Sequence, residues 1–327
     1  MADTNGNRRT QAPRVWNVPT IGVSSCLMGE NVRFDTGHKR DRFVTDRLAR
    51  FVECIPRCPE MAIGLGTPRE PIHLVAAGTG IDAHGVRSGH AVGKRLRAYG
   101  EAQAKELHGL SGYLFKAKSP SCGLHRVPIY TADGQRTNRR GHGLYADRVI
   151  AAMPWLPVED EGRLNDAGLR DNFLVRIFTL DRLQRALMNK PPVPRELVDF
   201  HTDHKYLVMA HNVAAYKRLG RLVARAGTQP LDELVPRYRD ELMQALSRPA
   251  RIPHHVNVLQ HLMGYLRDQL DREDRAEIAD TIEQFREGLL PWVAVRMLLR
   301  HHFRRHPDEW VNRQVYLEPY PDELAAP

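Results

Sequence analysis

The sequence predicts an α/β domain followed by an all-α domain, and three observations carry that expectation. Up to about residue 165, short apolar runs alternate with helical periodicity, the pattern of a small parallel or mixed sheet flanked by helices. Beyond Pro191, Pro192 and Pro194, helical periodicity is nearly unbroken. At 327 residues the chain is also longer than one average domain. The expected order is a disordered tail at 1–15, an α/β domain over 16–165, a connecting helix or linker over 166–190 and a helical domain over 191–327.

The elements follow in order. VPTIGVSS (18–25) reads as a buried strand, followed by the polar loop CLMGENVRFDTG. RFVTDRLARFVECI spaces Phe43, Val44, Leu48, Phe51 and Val52 as a helix would. In IPRCPEMAIGLGTPREP, prolines and glycines forbid a regular helix. Residues 93–108 read as a helix, GYLFKAK as a strand closed by SPSCG, HRVPIY as a strand and Ala146–Met153 as a short helix. An amphipathic segment, Leu169–Met188, precedes the prolines. One helical pattern then runs from 195 to Gly227, a suitable C-terminal cap. Further patterns lie near 236–247, 254–270 and 273–289, and a last one runs from Trp292 to His306.

Composition excludes several classes. With 42% hydrophobic and 27% charged residues the chain can bury a core, so wholesale disorder is excluded. No apolar run approaches the ~20 residues that span a bilayer. MADTNGNRRTQAPRV lacks the apolar stretch of a signal peptide. The four cysteines are therefore expected as reduced thiols, core residues or metal ligands in a cytoplasmic protein. The net charge of +9 is uneven: residues 1–165 hold 24 basic and 16 acidic side chains, and the remainder 24 and 23. A basic front half favours a polyanionic partner such as nucleic acid, or a phosphorylated substrate. An arginine-rich soluble surface is the ordinary alternative.

The cysteines sit at informative places. Cys26 follows the first strand, Cys122 lies in SPSCG after another, and Cys58 sits in Pro56-Arg57-Cys58-Pro59-Glu60 just past an apolar run. Ligands of open α/β sheets bind outside the carboxyl ends of the strands, so three cysteines there can converge. No CxxC pair supports a metal by spacing alone, and free cysteines are often small buried hydrophobes. Cys54 falls within an apolar pattern and reads as core.

Residues 18–165 resemble the thiouracil desulfidase family of iron–sulfur domains. The matching stretches are VSSCLMGENVRFDTGHKR, Cys58-Pro59-Glu60 with GLGTPREP, FKAKSPSCG and LPVEDEGRLND. DFHTDHKYLVMAHN resembles the helical domain often fused to that family, and the fused arrangement resembles bacterial desulfidases acting on 4-thiouridine in tRNA. The resemblance implies that Cys26, Cys58 and Cys122 bind three irons of a 4Fe–4S cluster, leaving one open. It implies that Glu60 and a serine of SPSC serve the reaction, Ser119 as the catalytic choice and Ser121 as runner-up and substrate contact. Glu60 also suits a plain helix N-terminal carboxylate.

Around these, Arg33, Asp35 and Lys118 are candidate substrate contacts. Lys39 and Arg40, with Arg42 and Lys116, flank the same sheet edge and are candidates for phosphates. In the helical domain, Lys205, Arg218 and Arg221 are candidate RNA contacts. His201, His204 and His211 share one helical face. A metal there lacks an accompanying Glu-x-x-His pair, so capping or lining the bundle core is the expectation. The expected activity is desulfuration of 4-thiouridine in tRNA. Its alternatives are a desulfidase of free thiouracil bases and a non-catalytic RNA-binding or redox-sensing iron–sulfur protein.

Overall fold

The computed structural model describes residues 16–78 and 80–325, so the tail expected over 1–15 lies outside it. The chain is an α/β unit followed by a helical unit. Four strands, β1 (Thr20–Ser24), β2 (Glu53–Arg57), β5 (Gly112–Phe115) and β8 (Val158–Asp160), form a sheet of order β2-β1-β5-β8. Every neighbouring pair is parallel. All four carboxyl ends therefore open on one edge. Strands β3 (Ile72–Ala77), β4 (Gly80–Gly85), β6 (Val127–Tyr130) and β7 (Arg136–Gly141) form a second, mixed sheet of order β4-β3-β6-β7. Between them run helices α1 (Pro59–Ala62), α2 (Gly93–Glu106) and α3 (Leu144–Ala152). A small core of Leu74, Ala83, Val92, Leu96, Val127, Ile129 and Leu144 lies under the second sheet.

The remaining helices are α4 (Ala167–Leu187), α5 (Pro194–His211), α6 (Val213–Val223), α7 (Leu231–Ala245), α8 (Ile252–Tyr265), α9 (Arg272–Arg286), α10 (Trp292–Arg305) and α11 (Glu309–Arg313). The segment expected to connect the halves is the 21-residue α4. Asp166 caps it by accepting from Leu169 N at 2.9 Å. Gly112 on β5 lets α4 approach closely, because a Cβ there would lie 2.5 Å from Ile177. Ser111 donates to Gln184 Oε1 at 2.9 Å, and Gln184 donates to Leu110 O at 3.1 Å. One apolar core consequently runs from the first sheet through α4 into the helices beyond.

Several sequence expectations change. Residues 42–55 do not form a helix: a π-type turn at Phe43–Arg47 and a 3₁₀ turn at Leu48–Arg50 lead straight into β2. Strands β3, β4, β7 and β8 go beyond the elements that the sequence pattern predicts. The pattern over 195–227 is two helices, because Asn212 is extended and its side chain accepts from Ala215 N, capping α6. Gly227 lies beyond the end of α6 at Val223. Helix α7 begins at Leu231 and carries Pro236 inside it.

The histidines of α5 serve the bundle core, as expected. Nδ1 of His204 donates to Phe200 O at 2.7 Å and that of His211 to Leu207 O at 2.9 Å, while His201 pairs with Tyr238 Oη at 3.1 Å. Burial pushes His201 and His211 down to about 4, which keeps them neutral near pH 7. Among the described residues no helix is long and apolar enough to cross a membrane.

Candidate functional site

Three strand ends meet at one cavity of about 350 Å³. Cys26 lies in the 3₁₀ turn Ser25–Met28 directly after β1. Cys58 follows β2 and is the N-cap of α1, with Pro59 at the first helical position. Cys122 follows β5, after a loop that turns at Lys118 with a φ of +60°. All three line the cavity together with Glu60, Ser119 and the start of β3 at Pro71 and Ile72. The thiols are close enough to influence one another: charge on Cys58 raises Cys26, and charge on Cys58 and Cys26 raises Cys122. Burial is the larger cause, lifting Cys26 to about 11 and Cys122 well above the thiol range. Cys54 lies within β2, opposite Ile21, and is not among the cavity-lining residues.

The Cys122 loop is held from below by α3. Gly143 N donates to Gly123 O at 2.7 Å, Leu144 N to Pro120 O at 3.0 Å and Tyr145 N to Ser121 O at 3.1 Å. The close fit requires Gly143, because a Cβ there would lie 2.4 Å from Ser121 C and 2.6 Å from Cys122 N. Backbone cannot yield as a flexible side-chain tip can. Gly143→Ala is therefore expected to cost ~1–3 kcal/mol, the range of overpacked cores, measured by denaturant unfolding alongside the native chain. Unchanged stability would mean the loop moves freely.

Glu60 is fixed at both oxygens. Oε2 accepts from Arg69 Nε at 3.0 Å and Nη2 at 2.6 Å, and Oε1 accepts from Ser121 Oγ at 2.9 Å. Arg69 is itself anchored on Val32 O (2.9 Å) and Gly66 O (2.6 Å). The side chains of this ion pair are only 7% and 16% exposed, so water screens it weakly. The two serines divide. Ser121 is fully buried behind Glu60. Ser119 lines the cavity, and its Oγ accepts from Ser121 N (3.2 Å) and Cys122 N (3.0 Å), which leaves its proton for a donor bond.

Arg33, Lys39 and Lys118 line the cavity as well. Asp35 does not: its carboxylate accepts from Gly37 N at 3.2 Å and pairs with Arg33 Nε at 3.6 Å, shaping the loop. Arg40 is tied to Thr45 and Asp46. Lys116, a candidate for phosphates, also lines the cavity and pairs with Glu161, whose Oε2 accepts from Ala117 N at 2.8 Å. Lys205 lies over the Trp310 ring at 4.1 Å, Arg218 pairs with Glu241, and Arg221 is exposed on α6. These three are not among the residues around the cavity. Arg69 and Glu161 are site residues that the sequence pattern does not single out. Both lie inside stretches that resemble the desulfidase family, which is the signal that could have found them.

Comparison with known proteins adds the following. Residues 21–161 match the family model described as 2-thiouracil desulfurase, and residues 205–321 match a protein family of unknown function, DUF1722. An uncharacterized protein of Escherichia coli K12, YbgA, is 36% identical over 152 residues, covering 46% of this chain and 89% of that protein. An uncharacterized protein of Bacillus subtilis 168, YbbK, is 32% identical over 160 residues, covering 45% and 98%. A solved structure of a 4Fe–4S-dependent thiouracil desulfidase, TudS, is 28% identical, covers 45% of this chain and 94% of that one, and gives a TM-score of 0.35.

Proposed function

Because the chain belongs, through residues 21–161, to the 2-thiouracil desulfurase family, we propose that it removes sulfur from a thiolated pyrimidine with a 4Fe–4S cluster, and that 4-thiouridine in tRNA is its substrate. One observation carries the reading: three thiols and one clamped carboxylate converge at the carboxyl edge of a parallel sheet.

The donor set suits a cluster. A lone zinc draws thiolates to ~2.3 Å, which places their sulfurs about 4 Å apart. Among the described residues, the group whose donor atoms lie within 4.8 Å of one another is Asp274, Glu277 and His302, not the cysteines. The wider cysteine spacing and the roomy cavity favour a polynuclear centre held by Cys26, Cys58 and Cys122. Such a cluster, with three protein thiolates, supplies an open, soft Lewis-acid position suited to thiocarbonyl sulfur.

The overall reaction exchanges C=S and water for C=O and hydrogen sulfide. Glu60 Oε1 takes a proton from the attacking water and later returns it to the departing sulfur, so that both of the water's protons leave in hydrogen sulfide. Arg69 and Ser121 keep that carboxylate from rotating away. Ser119, its oxygen already held by two backbone donors, has its proton available for the charge that develops on the substrate.

The basic rim supports a polymer. Arg33, Lys39 and Lys118 line the cavity, and the front half carries most of the chain's net positive charge. On the helical side, the contacts proposed are Arg221 and its neighbours on α6. Cutting the chain after Lys190 would strip α4 of the helices packed on it, so the substrate is tested on the full-length protein. Incubation with tRNA containing 4-thiouridine, followed by mass spectrometry of its nucleosides, should show conversion to uridine. Joint replacement of Lys39 and Lys118 by Ala should cost more on tRNA than on thiouracil. It should also flatten the salt dependence by about 0.7–0.9 in log–log slope for each phosphate no longer neutralised. Release of sulfide from thiouracil with 4-thiouridine left intact in tRNA would assign the free base instead.

A further inference from the structure

Helices α9 and α10 are joined by the short connection 287–291, so they run antiparallel and the start of α9 meets the end of α10. Asp274 and Glu277, three residues apart, share one face of α9, and His302 comes from the last turn of α10. A carboxylate oxygen of each acid and a ring nitrogen of His302 all lie within 4.8 Å of one another. None of the three residues lines the cysteine cavity.

Part of this grouping has an ordinary cause. Acidic side chains in the first turn of α9, Asp274 among them, complement the helix dipole, as do the cations in the last turn of α10. That account stops at His302. The residue is 3% exposed, and neither ring nitrogen has a hydrogen-bond partner among the described residues. An imidazole always offers at least one N–H donor, and burying its nitrogens unmatched is costly. No hydrogen bond joins the ring to either carboxylate, and among the described residues no cation pairs with those carboxylates.

A metal ion would satisfy all three side chains at once. Three atoms that close share a point at most ~2.8 Å from each of them, against the ~2.0–2.2 Å of zinc bonds to imidazole and carboxylate. Glu277 is exposed, so its side chain can swing in to close that gap. Burial of the ring does not bar an ion. A hydrogen-bonding water stays ~2.7–3.2 Å from a nitrogen, whereas a metal bonds well inside that distance, between the atoms that keep water out.

Two carboxylates match the charge of a divalent ion, and the imidazole selects its class. Calcium and magnesium take shells of oxygen, while a nitrogen with carboxylates suits zinc and its neighbours. We propose that Asp274, Glu277 and His302 bind a zinc-type divalent transition ion, which ties the start of α9 to the end of α10. Three protein ligands leave a further position for water or another small ligand. The site stands whether or not the desulfidase reading does.

The test counts zinc on the full-length protein with its cysteines intact. Native chain and Glu277→Gln are dialysed against a series of buffered free-zinc concentrations, and bound metal is measured by mass spectrometry. The native protein should hold one zinc per chain that the variant holds at least about a hundredfold more weakly, beyond the ~10- to 100-fold cost of losing an outer-shell partner. His302→Gln should lose the same zinc. Because Glu277 is exposed, its variant keeps the test decisive should the buried substitution not fold. Millimolar magnesium should leave the zinc in place, and displacement by magnesium would overturn the assigned class of ion. Identical zinc binding by native and Glu277→Gln protein sinks the proposal, since the metal then sits on other groups. Cys26→Ala should keep this zinc while losing desulfuration, and Glu277→Gln should keep desulfuration, so the two sites fail independently.

Discussion

Cys26→Ala, Cys58→Ala and Cys122→Ala are each expected to remove both bound iron and desulfuration, whereas Cys54→Ala retains both. Each of the three thiols comes from a different strand end, β1, β2 and β5, and each faces the same cavity. With three ligands at three separate anchor points, no neighbouring side chain can slide in to replace a missing one. Cys54 is the nearest in sequence to any of them. It sits inside β2 with its Cα opposite Ile21, packed at the margin of the core rather than on the cavity. Strand pairing would have to break at β2 before its sulfur reached the site. Its removal leaves a small void, with an expected cost of about 1 kcal/mol or less, well below the 2–5 kcal/mol of larger core truncations. Anaerobic absorbance, with iron and sulfide content, measures the first outcome, and thermal melting measures the second. Iron-free Cys54→Ala protein would make Cys54 a fourth ligand. A fully ligated cluster would then favour the sensing role over catalysis.

The convergence of the cysteines was legible because it depends on a rule of topology rather than on side-chain detail. Once Cys26 and Cys122 are placed just after apolar runs in a βα pattern, a parallel sheet brings them to one edge. Strand β2 was hidden because Phe43, Val44, Leu48, Phe51 and Val52 repeat at helical spacing. Its own residues alternate poorly, since Glu53 and Pro56 are exposed and the rest only half-buried. Strand β7, Arg136–Gly141, is polar and exposed at a sheet edge, so it carries no apolar signal at all. Long-range pairing was the other blind spot. Lys116 read as a free cation because its partner, Glu161, is 45 residues away. Arg69 carries no signal in the sequence pattern, although the fold makes it the clamp on Glu60. The positions of Ser119 and Ser121 needed the turn itself: the loop directs Ser121 back to Glu60 and leaves Ser119 on the cavity wall.

Glu60→Gln should keep the cluster and lose most turnover, by the ~10²- to 10⁴-fold typical of a general acid–base group. The amide matches the carboxylate in shape, so Pro59 and α1 keep their places and Cys58 remains at its N-cap. Proton transfer is what the change removes, because an amide oxygen is too weak a base to take a proton from water. The electrostatic partner is disturbed as well: Arg69, 7% exposed at its side chain, loses the negative charge it pairs with. Breaking a buried pair by neutralising one member is costly, so the variant should also melt at a lower temperature. Arg69→Met separates the two effects. It leaves the Glu60 carboxylate bonded to Ser121 alone, free to rotate, so turnover should fall while the basic group survives. The expected order of activity is native, then Arg69→Met, then Glu60→Gln, with iron content similar in all three. Near-native turnover in Glu60→Gln with its cluster intact would remove Glu60 from proton transfer. The Arg69–Glu60–Ser121 chain would then be a structural brace for the loops carrying Cys58 and Cys122.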